Sequence, residues 1–160
     1  MGDIILILSA VVFVVALLDA AQGDLRRLRI PNRVPLVILA AFVPAALAGG
    51  LSGADWLLHL GTGLLCFVGA ALLFSLGVWG GGDAKLVPAV ALWTGPAGLP
   101  RFLLVMALVG GLVALAALLG RRAEAGGLRS VLRGRVPYGI AIAAGGLDWA
   151  ALSLLPRLAG

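Results

Sequence analysis

Seven acids punctuate this chain, and two of them, Asp24 and Asp83, stand where paired carboxylates could do chemistry. Each lies at the end of an apolar run, in a separate stretch that also holds basic residues. Two facing carboxylates can share one proton, because like charges held close resist ionising together. The ionised member then takes a proton from water while the protonated member donates to a carbonyl oxygen. That is amide hydrolysis by acid–base catalysis, without a metal or a covalent intermediate, and such a pair titrates as a unit.

Rival chemistries lack their parts. His59 is the single histidine and reads as a helix–helix hydrogen-bonding residue. No G-x-S-x-G elbow surrounds Ser9, Ser52, Ser75, Ser130 or Ser153. Zinc chemistry is missing H-E-x-x-H, and the lone Cys66 reads as a small buried hydrophobe. No metal and no cofactor are expected. Among the other acids, Asp3 and Asp55 precede apolar runs and suit helix N-termini. Glu124 lies among arginines as a solvated ion pair, and Asp148, about halfway along the last helix, can hydrogen-bond across the bundle or face a polar cavity, a minor structural role. Asp19, five residues before Asp24, would point about 140° away on a helix, outside the site.

The neighbours of the pair have readings of their own. Gly80, Gly81 and Gly82 free the backbone before Asp83 and let another chain lie close to it. Lys85 can reach the dyad, a substrate acid or a lipid headgroup. Pro31 ends any helix continuing from Asp24, and Asn32 can cap the next one.

What must position these residues is a membrane bundle. Of 160 residues, 62% are hydrophobic and 12% charged, against about 45–50% and about 25% in soluble domains. Apolar runs predict an all-α, polytopic transmembrane bundle of about six helices, near 4–22, 34–51, 56–78, 84–98, 100–120 and 138–157, in one domain over 1–160. The first run has no basic residues before it and is long enough to span, unlike a cleaved signal. The run at 84–98 is short and contains Pro88, so it is expected to pack inside the bundle. Pairs such as Gly61/Gly69, Gly110/Gly111 and Gly145/Gly146 would let helices approach closely.

Charge sorts the loops. Arg26, Arg27, Arg29 and Arg33 fall in 23–33, Lys85 in 79–85, and five arginines in 121–137, leaving Arg101 and Arg157 for the other side. By the positive-inside rule the first three loops are cytoplasmic and both termini face outward. Asp24 and Asp83 then share one depth and one face. The net charge of +5 thus reads as orientation against anionic lipid rather than nucleic-acid binding. The segment 121–135 reads as a basic amphipathic stretch on the membrane surface.

Three strings go further: Asp24 through Ile30-Pro31-Asn32, Gly80-Gly81-Gly82-Asp83-Ala84-Lys85-Leu86, and Pro137-Tyr138-Gly139-Ile140-Ala141-Ile142-Ala143. Together they resemble the type IV prepilin peptidase family of GxGD intramembrane aspartyl proteases. The resemblance implies that Asp24 and Asp83 are catalytic. It also implies that Pro31, Asn32, Gly80, Gly81, Gly82, Lys85, Pro137, Tyr138 and Gly139 shape the site or bind substrate. The implied partner is a prepilin or pseudopilin with a basic leader and an apolar helix, cut after a small residue at the cytoplasmic boundary of the bacterial inner membrane. Larger members carry CxxC pairs for zinc and also N-methylate the product. Lacking those cysteines, this chain is similar to the small peptidase of tight-adherence (Flp) pilus systems, and methyl transfer is not expected. Two alternatives stand beside it. One is a GxGD protease acting on a preflagellin-like leader; the other is a transport or assembly subunit whose acids bind ions, which predicts acids near the midplane.

Overall fold

Lipid offers the backbone no hydrogen bonds, so so apolar a chain must satisfy its N–H and C=O groups within each segment. The structure, a computed structural model that describes residues 1–122 and 138–154, is accordingly helical with no strand among the described residues. Its helices are α1 (Gly2–Arg27), α2 (Arg33–Ala48), α3 (Gly53–Ser75), α4 (Asp83–Arg122) and α5 (Tyr138–Ser153). Three stretches, Gly2–Arg27, Gly53–Ser75 and Asp83–Ala117, are long and apolar enough to cross a membrane. Pro137, Glu124 and most of the 121–135 segment lie outside the described residues.

One helix is two rods. Inside α4, Gly95 sits at φ 59° and ψ −175°, which interrupts the helical ladder. A positive φ favours glycine, and Pro96 has a ring-fixed φ suited to starting a new helix. The break between predicted rods, expected near residue 99, therefore falls at Gly95 instead. Counting the two arms of α4, 83–94 and 96–122, the described residues form six rods.

The first arm is the centre of the bundle, as its short length suggested. Leu86 through Gly95 are all buried. Trp93 stacks on Phe13 of α1 at 4.4 Å between centroids, and its indole N–H donates to Ile38 O of α2 at 2.9 Å. Because the ladder stops at Gly95, the arm's last carbonyls need other donors. Thr94 Oγ1 donates to Ala91 O at 3.1 Å. His59 of α3 supplies Leu92 O, 2.7 Å from Nδ1, so Nδ1 carries the proton. His59→Leu should leave that carbonyl without its donor and cost about 1–3 kcal/mol. A lowered unfolding temperature in detergent would register it, and an unchanged one would contradict this role.

Several local expectations are corrected. Helix α1 does not stop near residue 22 but runs to Arg27, ending at Leu28 in the left-handed region (φ 50°). Arginine stems can follow the last turn while their heads reach water, so the charged run continues the helix. Asp55 lies inside α3 rather than before it, in a reciprocal capping box with Ser52. Cys66 is only half-buried. Gly61, Gly69 and Gly111 have open space where a side chain would go, so they mediate no close approach. The expected close approach does occur at Gly145 and Gly146: a methyl at Gly145 would lie 2.8 Å from Phe102 O, and one at Gly146 2.8 Å from Leu17.

Of the two readings of Asp148, the structure shows the hydrogen bond across the bundle. Its carboxylate receives Arg101 Nε at 2.6 Å and Nη2 at 3.1 Å, a two-pronged bridge between the second arm of α4 and α5. A bidentate guanidinium–carboxylate pair fixes geometry as well as charge. It clasps the end of the bundle away from Asp24 and Asp83.

Candidate active site

The two aspartates arrive by different local routes. Asp24 sits one turn before the end of α1, on the face that packs inward, and is 7% exposed. Asp83 is the first residue of α4 and half-buried. Chain direction does the rest, since α1 ends where α4 begins. Both carboxylates line one cavity of about 1600 Å³, and they lie close enough to feel each other's charge.

A third element completes the pocket. Gly139, in the first turn of α5, donates its backbone N–H to Asp24 Oδ2 at 2.7 Å. A helix N-terminus carries partial positive charge and spare N–H groups, so it favours negative charge on that oxygen. The approach requires glycine: a methyl at residue 139 would lie 2.8 Å from Asp24 Cβ and 2.9 Å from Oδ2. Tyr138 lines the cavity beside it. Sequence reasoning placed Gly139 near the site but missed this hydrogen bond. The available signal was a glycine in the first turn of a helix, where N–H groups lack helical partners.

The glycine run works differently from the expectation of unusual dihedrals. Among residues 77–82 only Gly77 has a positive φ, at 72°. Gly80, Gly81 and Gly82 instead allow close packing. A methyl at Gly82 would lie 3.0 Å from Ile30 Cβ, and one at Gly80 3.0 Å from Asp83 Oδ2. Gly80 also gives Asp83 a backbone hydrogen bond. The run thus draws the start of α4 against the 28–32 turn, and so Asp83 toward Asp24.

Pro31 and Asn32 line the same cavity. Asn32 stands at the N-cap of α2 but makes no side-chain capping bond. Its Oδ1 accepts from Lys85 Nζ at 3.0 Å instead. This settles Lys85 on the 28–32 turn rather than on either aspartate. Asp19 also borders the cavity, yet its carboxylate pairs with Arg33 Nη2 at 3.3 Å. With both partners well exposed, that bridge contributes little to stability. Arg26, Arg27 and Arg29 complete a strongly basic rim.

Comparison with protein families supplies an independent line. The model of the type IV leader peptidase family matches residues 6–115, a stretch that includes both Asp24 and Asp83. Comparisons with curated proteins and with solved structures gave no match. Over two thirds of its length, then, and across the helices that carry both carboxylates, the chain follows one pattern: it belongs to the type IV leader peptidase family.

Proposed function

We propose that this protein is an aspartyl protease that removes the leader peptide of prepilins, of Flp-type pilin or pseudopilin kind, at the cytoplasmic boundary of the bacterial inner membrane. The carrying observation is the meeting of Asp24 and Asp83 in one cavity at the basic end of a membrane bundle. Acids bound for ion transport would lie near the midplane instead.

The chemistry follows from the pair. Gly139 N–H supports the charge on Asp24, so Asp24 takes a proton from water while Asp83 donates one to the scissile carbonyl oxygen. The new C–O bond gives a tetrahedral diol. Its collapse breaks the C–N bond: the leaving nitrogen takes a proton from Asp24 while a diol hydroxyl gives one to Asp83, which restores the one-proton pair. Helical peptide bonds are shielded by their own hydrogen bonds, so the scissile segment must first unwind. The 77–82 loop offers backbone groups to such an extended strand.

The test is cleavage of a purified prepilin by the protein in lipid, with product masses read directly. Cleavage should follow a Gly at the leader's end and fail when that Gly is replaced by a bulky residue. The rate should fall at low pH, where both carboxyls are protonated, and again at high pH, where both are ionised. A rate that rises through a single ionisation and then stays flat would contradict the shared proton.

A further inference from the structure

We infer that the apolar helix of the substrate docks in a lipid-facing groove between α2 and α3, and that the Lys85–Asn32 hydrogen bond marks the gate between this groove and the aspartates. The inference rests on the leader-peptidase reading above and adds the route by which a membrane-embedded substrate reaches the site.

The groove measures about 550 Å³ and is walled by Leu36 and Leu39 of α2 and by Leu60, Leu64 and Phe67 of α3. Its floor is the first arm of α4, through Pro88, Ala89 and Leu92. Gly63 seats α3 on that floor, where an added methyl would lie 3.4 Å from Leu92. From Lys85 to Leu92 the floor runs two helical turns, about 10 Å. That length suits the first turns of an apolar helix.

Lipid tails fill any apolar groove, so shape alone selects no partner. Continuity does. The groove's two polar lining residues, Asn32 and Lys85, stand together at one end and are hydrogen-bonded to each other. Asn32 also lines the cavity that holds Asp24 and Asp83. The floor helix itself begins with Asp83. A helix lying in the groove would therefore end at the carboxylates without leaving the bilayer. Where it unwinds, its backbone exposes carbonyls and N–H groups that need partners. The Lys85 ammonium can donate to such a carbonyl, and the Asn32 amide can both donate and accept. Parting the two side chains both opens the passage and supplies those partners.

The experiment uses the full chain in lipid with two substrates, a full-length prepilin and a short peptide with the leader and scissile bond but no apolar helix. Leu64→Trp fills the groove, whereas Leu65→Trp places the same bulk on an exposed face outside it. For Leu64→Trp, KM for the full-length substrate should rise about tenfold, equivalent to about 1.4 kcal/mol of lost binding. Cleavage of the short peptide should keep its wild-type rate, which also reports that the variant folds, and Leu65→Trp should match wild type on both substrates. In an Asp83→Asn background, a photocrosslinker at position 64 should capture the prepilin helix and one at position 65 should not. Unchanged KM with Leu64→Trp, or capture of lipid alone at position 64, overturns the groove assignment while leaving the peptidase reading intact. Failure of the wild type to cleave either substrate overturns both.

Discussion

Replacing either Asp24 or Asp83 with alanine is expected to leave prepilin leaders uncut while the protein still inserts in the membrane. Acid–base groups of this kind contribute about 10²–10⁴-fold to rate. Because the two act as one unit, the double substitution should cost little more than either single one. Asp19→Ala separates the dyad from acids that merely share the cavity. Its carboxylate is engaged by Arg33, so activity should stay within a few-fold of wild type. Leader processing in co-expressing cells, followed by the mobility of the pilin, reads all four variants. Normal processing by either single variant would remove that residue from the mechanism.

The second large effect is expected at a residue with no side chain. Gly139→Ala puts a methyl within 2.9 Å of the Asp24 carboxylate oxygen, well inside contact distance. Either Asp24 or the start of α5 must shift, and the N–H to Oδ2 bond lengthens with it. Displacing a catalytic group by about 1 Å can cost about 10²-fold. The loss should appear in kcat more than in KM, since the methyl meets Asp24 and not the groove. Gly111→Ala is the matched control, because open space surrounds that position. Wild-type kcat in Gly139→Ala would show that the α5 contact is dispensable.

Much of this arrangement was legible in the sequence, for identifiable reasons. Lipid makes hydropathy a strong signal, so the membrane bundle, its rods and the buried short arm all follow from apolar runs. The sorting of arginines into alternate loops placed Asp24 and Asp83 at one end. What escaped were features set by contacts between distant segments. Nothing local to Asp148 points to Arg101, and nothing local to Lys85 points to Asn32. The sequence does not separate a break at Gly95 from one near residue 99, because Gly95-Pro96 and Gly98-Leu99-Pro100 carry similar stop signals. The difference between them lies in the backbone: Gly95 takes a positive φ of 59°, whereas Gly98 stays helical beneath Trp149. The apolar run alone ends α1 near residue 22, at the first charges, whereas the turn at Leu28 ends it in the fold.

The Gly139–Asp24 hydrogen bond joins residues 115 positions apart in the chain. Synthesis from the N-terminus delivers α1 well before α5. Both aspartates are therefore made and threaded into the membrane while the group that orients one of them does not yet exist. A partly made chain holds the acids but not their assembled pocket. In a protein whose own helices are apolar segments with basic flanks, that order postpones the assembled pocket until α5 has been made.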